Sequence, residues 1–156
     1  MRRNSGLRVD GDGCFFFHDR PVENPRVQRL FHQHLAVRED GEVTLTVGSQ
    51  WAYVACETVA RFVEAISLEG GRLKARLRGG EQVVADAPQL GFAPDGRCYV
   101  WLSAGAPPAV LTRSAHQALV SLLVERSDRL VLPVTPAPSA VVTLACAPGP
   151  GTSWSG

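Results

Sequence analysis

Lysine is almost missing from this chain: of 16 basic residues among 156, only Lys74 is a lysine. In so arginine-biased a composition, one arginine says little about phosphate binding. The formal net charge is +1, so no overall field draws the chain toward nucleic acid or an anionic membrane. No apolar run approaches the roughly 20 residues that a membrane helix needs. The basic start, MRRNSGLRVDGDG, lacks the apolar stretch of a secretory leader, and the expected location is cytoplasmic. Cys14, Cys56, Cys98 and Cys146 are widely spaced, without the CxxC pairs of zinc ribbons and redox sites. In a reducing compartment they read as small hydrophobes. Phosphate loops of the Walker or dinucleotide type are missing too, because Gly70-Gly71 and Gly79-Gly80 have no helix behind them.

What is present is an ordinary globular composition, 45% hydrophobic and 20% charged, in a chain long enough to bury a real core. The stretch DGCFFFHDR reads as turn, strand and break, with Phe15 and Phe17 on one strand face and Cys14 and Phe16 on the other. Asn24-Pro25 is a helix start, a capping oxygen followed by proline at the first helical position. Val27, Leu30, Phe31 and His34/Leu35 then share one face. Strands are expected from Val43 to Val47, from Trp51 to Cys56 and from Val59 to Leu68. Two more, Arg72 to Arg78 and Gln82 to Ala85, are set off by glycine turns. Pro94-Asp95-Gly96 leads into an aromatic strand, Arg97 to Leu102, and Ala109 to Leu111 follows. Thr112 then caps a second helix with Ala115, Leu119, Leu122 and Leu123 on its apolar face. Residues 133–156 carry no charge and are mostly Pro, Ala, Ser, Thr, Val and Gly, which predicts disorder.

An internal echo links Asp12-Gly13-Cys14-Phe15-Phe16-Phe17 to Asp95-Gly96-Arg97-Cys98-Tyr99-Val100-Trp101. Each is a DG turn into an aromatic strand, followed by a proline-containing turn and a capped helix. The pattern suggests a duplicated unit.

Few residues carry chemistry. His32 and His34 lie about 200° apart around a helix and cannot share a metal. Cys14 and His18 would face the same side of a strand, but two ligands do not make a zinc site. Asp10-Gly11-Asp12 lacks the later ligands of a calcium loop, and Gly151-Thr152-Ser153-Trp154-Ser155-Gly156 only mimics a nucleophile elbow. Arg72, Lys74, Arg76 and Arg78 alternate with Leu73, Ala75 and Leu77, so one strand face carries four cations. That face is either a solvated edge guard or an anion-binding wall. Arg113, at the start of the second helix, would add the free amides and positive end of a helix. Trp51 with Tyr53, and Tyr99 with Trp101, are aromatic pairs that either fill a core or stack on a base.

The run DGCFFFHDRPVENPRVQRLFHQHLAVREDGEVTLTV resembles the start of the bacterial domain-of-unknown-function family 1285. It shares that family's DG turn, aromatic strand, R-P turn, helix ending in LF and E-D-G turn. Tyr99-Val100 and Leu111-Thr112-Arg113 resemble later family motifs, and the likeness covers Leu7 to Leu132. The run departs from the family at Thr46-Val47-Gly48-Ser49-Gln50, where T-P-V-E-K is usual. The resemblance implies repeated modules, the second pleckstrin-homology-like, and a nucleotide-type ligand bound between them in a signalling role without catalysis.

The expectation is therefore an α+β protein of two small mixed sheet-and-helix modules, internally duplicated. A lead of residues 1–6 would precede modules at 7–66 and 67–132, and a disordered tail would follow at 133–156. Its expected function is non-enzymatic binding of a small anionic, nucleotide-like ligand between modules, with no nucleic-acid or membrane partner, no metal and no cofactor. Arg20, Arg76 and Arg113 would neutralise phosphate, and Trp51 or Tyr99 would stack on a base. The alternatives are a protein–protein adaptor working through the sheet face or the tail, and a hydrolase using a Cys/His pair.

Overall fold

Turn chemistry cuts the chain into short strands, and the computed structural model describes residues 5–154. The first stretch holds β1 (Leu7–Val9), β2 (Phe15–Phe17), β3 (Arg20–Pro21), helix α1 (Pro25–His34), β4 (Leu35–Val37), β5 (Val43–Val47), β6 (Gln50–Tyr53) and β7 (Ala55–Cys56). A meander follows: β8 (Arg61–Glu69), β9 (Arg72–Leu77) and β10 (Gln82–Ala85). The last stretch holds β11 (Gln89–Phe92), β12 (Cys98–Trp101), β13 (Ala109–Leu111), helix α2 (Arg113–Leu122), β14 (Val124–Arg126), β15 (Arg129–Leu132) and β16 (Ser139–Thr143). The expected lead over residues 1–6 lies largely outside the described residues.

The strands form three sheets, ordered β3-β2-β1-β7, β4-β5-β6, and β10-β9-β8-β13-β12-β11-β16-β15-β14. Most pairs are antiparallel, as glycine-turn spacing predicts, but β1 with β7, β8 with β13 and β11 with β16 run parallel. The sequence places a break at Asp19-Arg20-Pro21. Instead, His18 and Asp19, with φ of 49° and 65°, form a two-residue turn that pairs Phe17 with Arg20. Pro21 is tolerated because β3 is an edge strand.

The nine-stranded sheet separates two cores, and its alternation shows how. Cys98 and Val100 of β12, Val63 of β8, and Ala109 and Leu111 of β13 enter one core, together with Leu119 of α2. Tyr99, Trp101, Phe62 and Val110, their neighbours in sequence, enter the other, together with Val9, Phe15, Val43 and Leu45. Strands buried on both faces read as continuous apolar runs, which is why Cys98 to Leu102 has no polar alternation.

Two expectations are corrected here. The tail is not a disordered appendage: β16 lies inside the large sheet between β11 and β15, and Leu132 and Val134 are buried. Trp154 packs at 4.9 Å against Trp101, whose Nε1 donates to the Thr152 carbonyl at 2.9 Å. A run without charge suits an interior strand as well as it suits disorder, and composition does not distinguish them. The expected module boundary at residues 66 and 67 falls within β8, which passes through it unbroken.

Candidate ligand-binding cleft

The loop before β2 shows how the first stretch is joined to the large sheet. Asp10 Oδ1 accepts from the amides of Asp12 and Cys14 at 3.0 and 2.9 Å, closing the turn. Gly13 has a φ of +86°, and a Cβ there would lie 3.0 Å from the Phe62 ring, so only glycine fits both backbone and space. Arg78, just beyond β9, donates from Nε and Nη2 to the Asp12 carbonyl at 3.1 and 2.8 Å. Arg97 donates to the Gly11 carbonyl at 3.0 Å. The DG turn is thus a docking point gripped by two arginines.

Helix α1 crosses above this point. Its Asn24 side chain caps the helix by accepting from the Arg26 amide at 2.9 Å. Gln28 accepts from the Phe15 amide at 2.9 Å and donates to the Val22 carbonyl at 2.6 Å. His32 is wedged edge-on against Phe15 and Phe62, and its Nε2 meets the Gly13 carbonyl at 2.6 Å. A carbonyl only accepts, so Nε2 carries the proton and the ring is the neutral tautomer. Burial lowers the His32 pKa to about 4, with Arg78 adding to the effect and the Gly13 bond opposing it. Gln33 donates to the Gly79 carbonyl at 2.8 Å, latching the helix onto the turn between β9 and β10.

Beside this latch opens a cleft of about 350 Å³ between the first stretch and the large sheet, at the lower end of the usual size for small-ligand sites. Leu35, Val37, Phe62 and Pro107 give it apolar walls, and Arg61, Arg78 and Glu81 give it charge. Arg78 also borders two neighbouring hollows, one running past Cys14 and Arg29 and the other past Arg113 at the start of α2. It is the hinge of the polar surface between the two stretches.

The residues expected to bind a ligand are scattered. Arg20 is exposed on β3, at the edge of the four-stranded sheet. Trp51, 42% exposed on β6, meets Tyr53 edge-on at 5.4 Å. Arg76 pairs with Glu64 at 2.7 Å across β8 and β9. Tyr99 is fully buried, and its hydroxyl donates to Asp95 at 2.6 Å. The expectation that Tyr99 stacks on a base is corrected: it lies on a strand buried on both faces, so its ring meets the core. Arg113 borders the α2 hollow together with Arg78, and Arg76 shares Glu64 with Arg78.

The four-cation face of β9 alternates as expected, with Leu73, Ala75 and Leu77 inward. Its charges are largely balanced: Arg72 pairs with Asp86, Lys74 with Glu69 at 3.3 Å, and Arg76 with Glu64. Arg61 and Glu81 are absent from the expected set, since each lies singly among strand and turn residues. Only the folded chain brings them to one cleft.

The thiols are kept protonated. Burial pushes Cys56 and Cys98 up to about 12, and burial with nearby Asp10 raises Cys14. His18 lies in the β2–β3 turn rather than on a strand beside Cys14. Among the described residues, no group of three or more His, Cys, Asp or Glu residues is placed to hold a metal, and no helix is long and apolar enough to cross a membrane.

The fold and cleft define a mixed α+β protein with a polar seam between two strand-and-helix stretches. The fold is DUF1285-like. A DUF1285 family protein from Silicibacter pomeroyi superposes with a TM-score of 0.67 at 19% identity, covering 86% of this chain and 78% of that one. A second, from Shewanella baltica, superposes with a TM-score of 0.57 at 14% identity, covering 77% of this chain and 94% of that one. No protein-family model matches the sequence, and no curated protein matches it.

Proposed function

We propose that this is a non-enzymatic, cytoplasmic sensory module that binds a small anionic, nucleotide-type ligand in the cleft beside α1. The observation that carries this reading is the convergence of Arg61 and Arg78 on an apolar-walled cleft at the seam of the fold. The Arg61 guanidinium suits a phosphate, because it offers paired donors in a plane, and Arg78, whose Nε and Nη2 are held by the Asp12 carbonyl, adds positive charge beside it. Leu35, Val37 and Pro107 suit the flat, apolar faces of a base. A ligand there touches both stretches, so its arrival would tighten their contact, which is what a sensor requires. Neither nucleic acid nor a membrane is part of this reading. The protonated thiols favour binding over thiol catalysis. For the adaptor alternative, residues 139–143 are a strand of the large sheet, which counts against the tail as a free contact segment.

We also propose that the first and last stretches derive from one duplicated unit. Both run three strands and a ten-residue helix, followed by four strands in the first stretch and three in the last. In both, the strand that ends the stretch pairs parallel with the strand that opens it.

Thermal-shift and calorimetric titration of the full chain with millimolar mononucleotides tests the binding reading. A ligand at 100 times its Kd would stabilise the fold by about 2.7 kcal/mol. Arg61→Gln should weaken binding at least tenfold while leaving the ligand-free melting temperature in place. A panel that shifts nothing refutes the reading.

A further inference from the structure

We propose that the cleft selects guanine among the nucleobases, with Glu81 as the residue that reads it; this rests on the nucleotide reading above. Arg61 and Glu81 border the same 350 Å³ cleft, and among the described residues neither side chain has an ion pair or hydrogen bond. Their opposite charges are held apart in one hollow instead of neutralising each other. The other polar groups of the cleft are already engaged. The Gln33 amide donates to Gly79, His32 to Gly13, and Arg78 to Asp12.

A carboxylate in a phosphate-binding cleft is unfavourable unless the ligand turns N–H donors toward it. Guanine is the base that offers two adjacent donors, N1–H and the 2-amino group, spaced for the two oxygens of one carboxylate. Adenine presents an acceptor, N1, beside its amine, and cytosine presents N3 beside its amine, so each sets a lone pair against Glu81. Uracil has one N–H between two carbonyls. Glu81 is exposed, so the discrimination comes from the paired, charge-assisted bonds that guanine alone among the bases can make to it. The apolar walls of Leu35, Val37 and Pro107 then hold the ring, and Arg61 takes the phosphate. The volume suits a mononucleotide.

The test is calorimetric titration of the full chain with GMP, IMP, AMP and inorganic phosphate, repeated on Glu81→Gln. GMP should bind at least tenfold more tightly than IMP, which lacks the 2-amino group, and than AMP, with phosphate weakest. Glu81→Gln should collapse the GMP preference to within about threefold and leave AMP binding in place. Equal affinities for GMP and AMP, or a preference that survives Glu81→Gln, overturn the guanine assignment and leave the nucleotide reading standing. Absence of binding by all three nucleotides overturns both.

Discussion

Helices α1 and α2 have the same length and stand at the same place in two similar runs of strands, yet they meet their sheets in opposite ways. Helix α2 buries Ala115 and Leu119 and lays Leu122 and Leu123 against the core, so an apolar face does the packing. Helix α1 buries no residue completely. It turns Val27, Gln28, Phe31 and His32 inward, and two of those four make their contact by hydrogen bonding to β2, Val22 and the DG turn. The first helix is fastened mainly by polar groups at its margins and the second mainly by apolar area. The cleft opens beside the first, where packing is least complete and charged groups remain available.

The largest effect should come from cutting the chain after residue 133. This removes β16 from between β11 and β15 and takes Trp154 off Trp101, so the cooperative thermal transition should be lost; a truncated protein melting like the full chain would return the tail to an accessory role. Next, Leu119→Ala in α2 should cost about 2–5 kcal/mol in urea denaturation, as for a buried leucine. Leu30→Ala in α1, at 38% exposed, should cost under about 1 kcal/mol. Equal costs would erase the contrast between the helices.

Acid should weaken the α1 side first. His32 is held neutral in the fold with a pKa of about 4, against an ordinary 6.5 in the unfolded chain. The unfolded state therefore binds more protons between these values, so stability is complete above pH 6.5 and falls as the pH drops toward 4. The loss should be on the order of 2–3 kcal/mol. Denaturation curves across that range should be flatter for His32→Gln, which keeps a donor toward Gly13 but cannot titrate; an unchanged slope would show that His32 is not the group responsible. The smallest difference is at the caps. Asn24→Ala should cost about 1 kcal/mol by freeing the Arg26 amide. Thr112→Val should cost about half of that or less, since Thr112 makes no side-chain cap bond.

These contrasts also mark what could be read in advance. The apolar face of α2 matches the expected Ala115, Leu119, Leu122 and Leu123, because burial there follows hydrophobicity. The face of α1 was expected at Val27, Leu30, Phe31 and His34/Leu35; Val27, Phe31 and Leu35 are half-buried, whereas Leu30 and His34 are exposed and Gln28 and His32 turn inward in their place. Hydrophobic periodicity cannot register a face whose contacts are made by Gln28 and His32. Arg78 belonged to a strand marked as unusual for its charge, but its role at the seam depends on Asp12, 66 positions away. Arg61 and Glu81 carry no local mark at all. In DGCFFFHDR, the turn and strand were legible, and full burial of Phe15 beside a Phe17 that is 52% exposed was not.

By itself the sequence determined the local structure. Asn24-Pro25 started a helix, paired glycines made turns, and alternating or continuous apolar residues made strands, because capping, positive φ and burial period act within a few residues. The tertiary structure decided what required distant partners. It placed the uncharged run from Ser139 to Thr143 inside a sheet and balanced the β9 cations with Glu64, Glu69 and Asp86. It also brought Arg61, Arg78 and Glu81 around one cleft. Charge pairing and cleft formation depend on which segments become neighbours, and that is settled only when the two cores close around the large sheet.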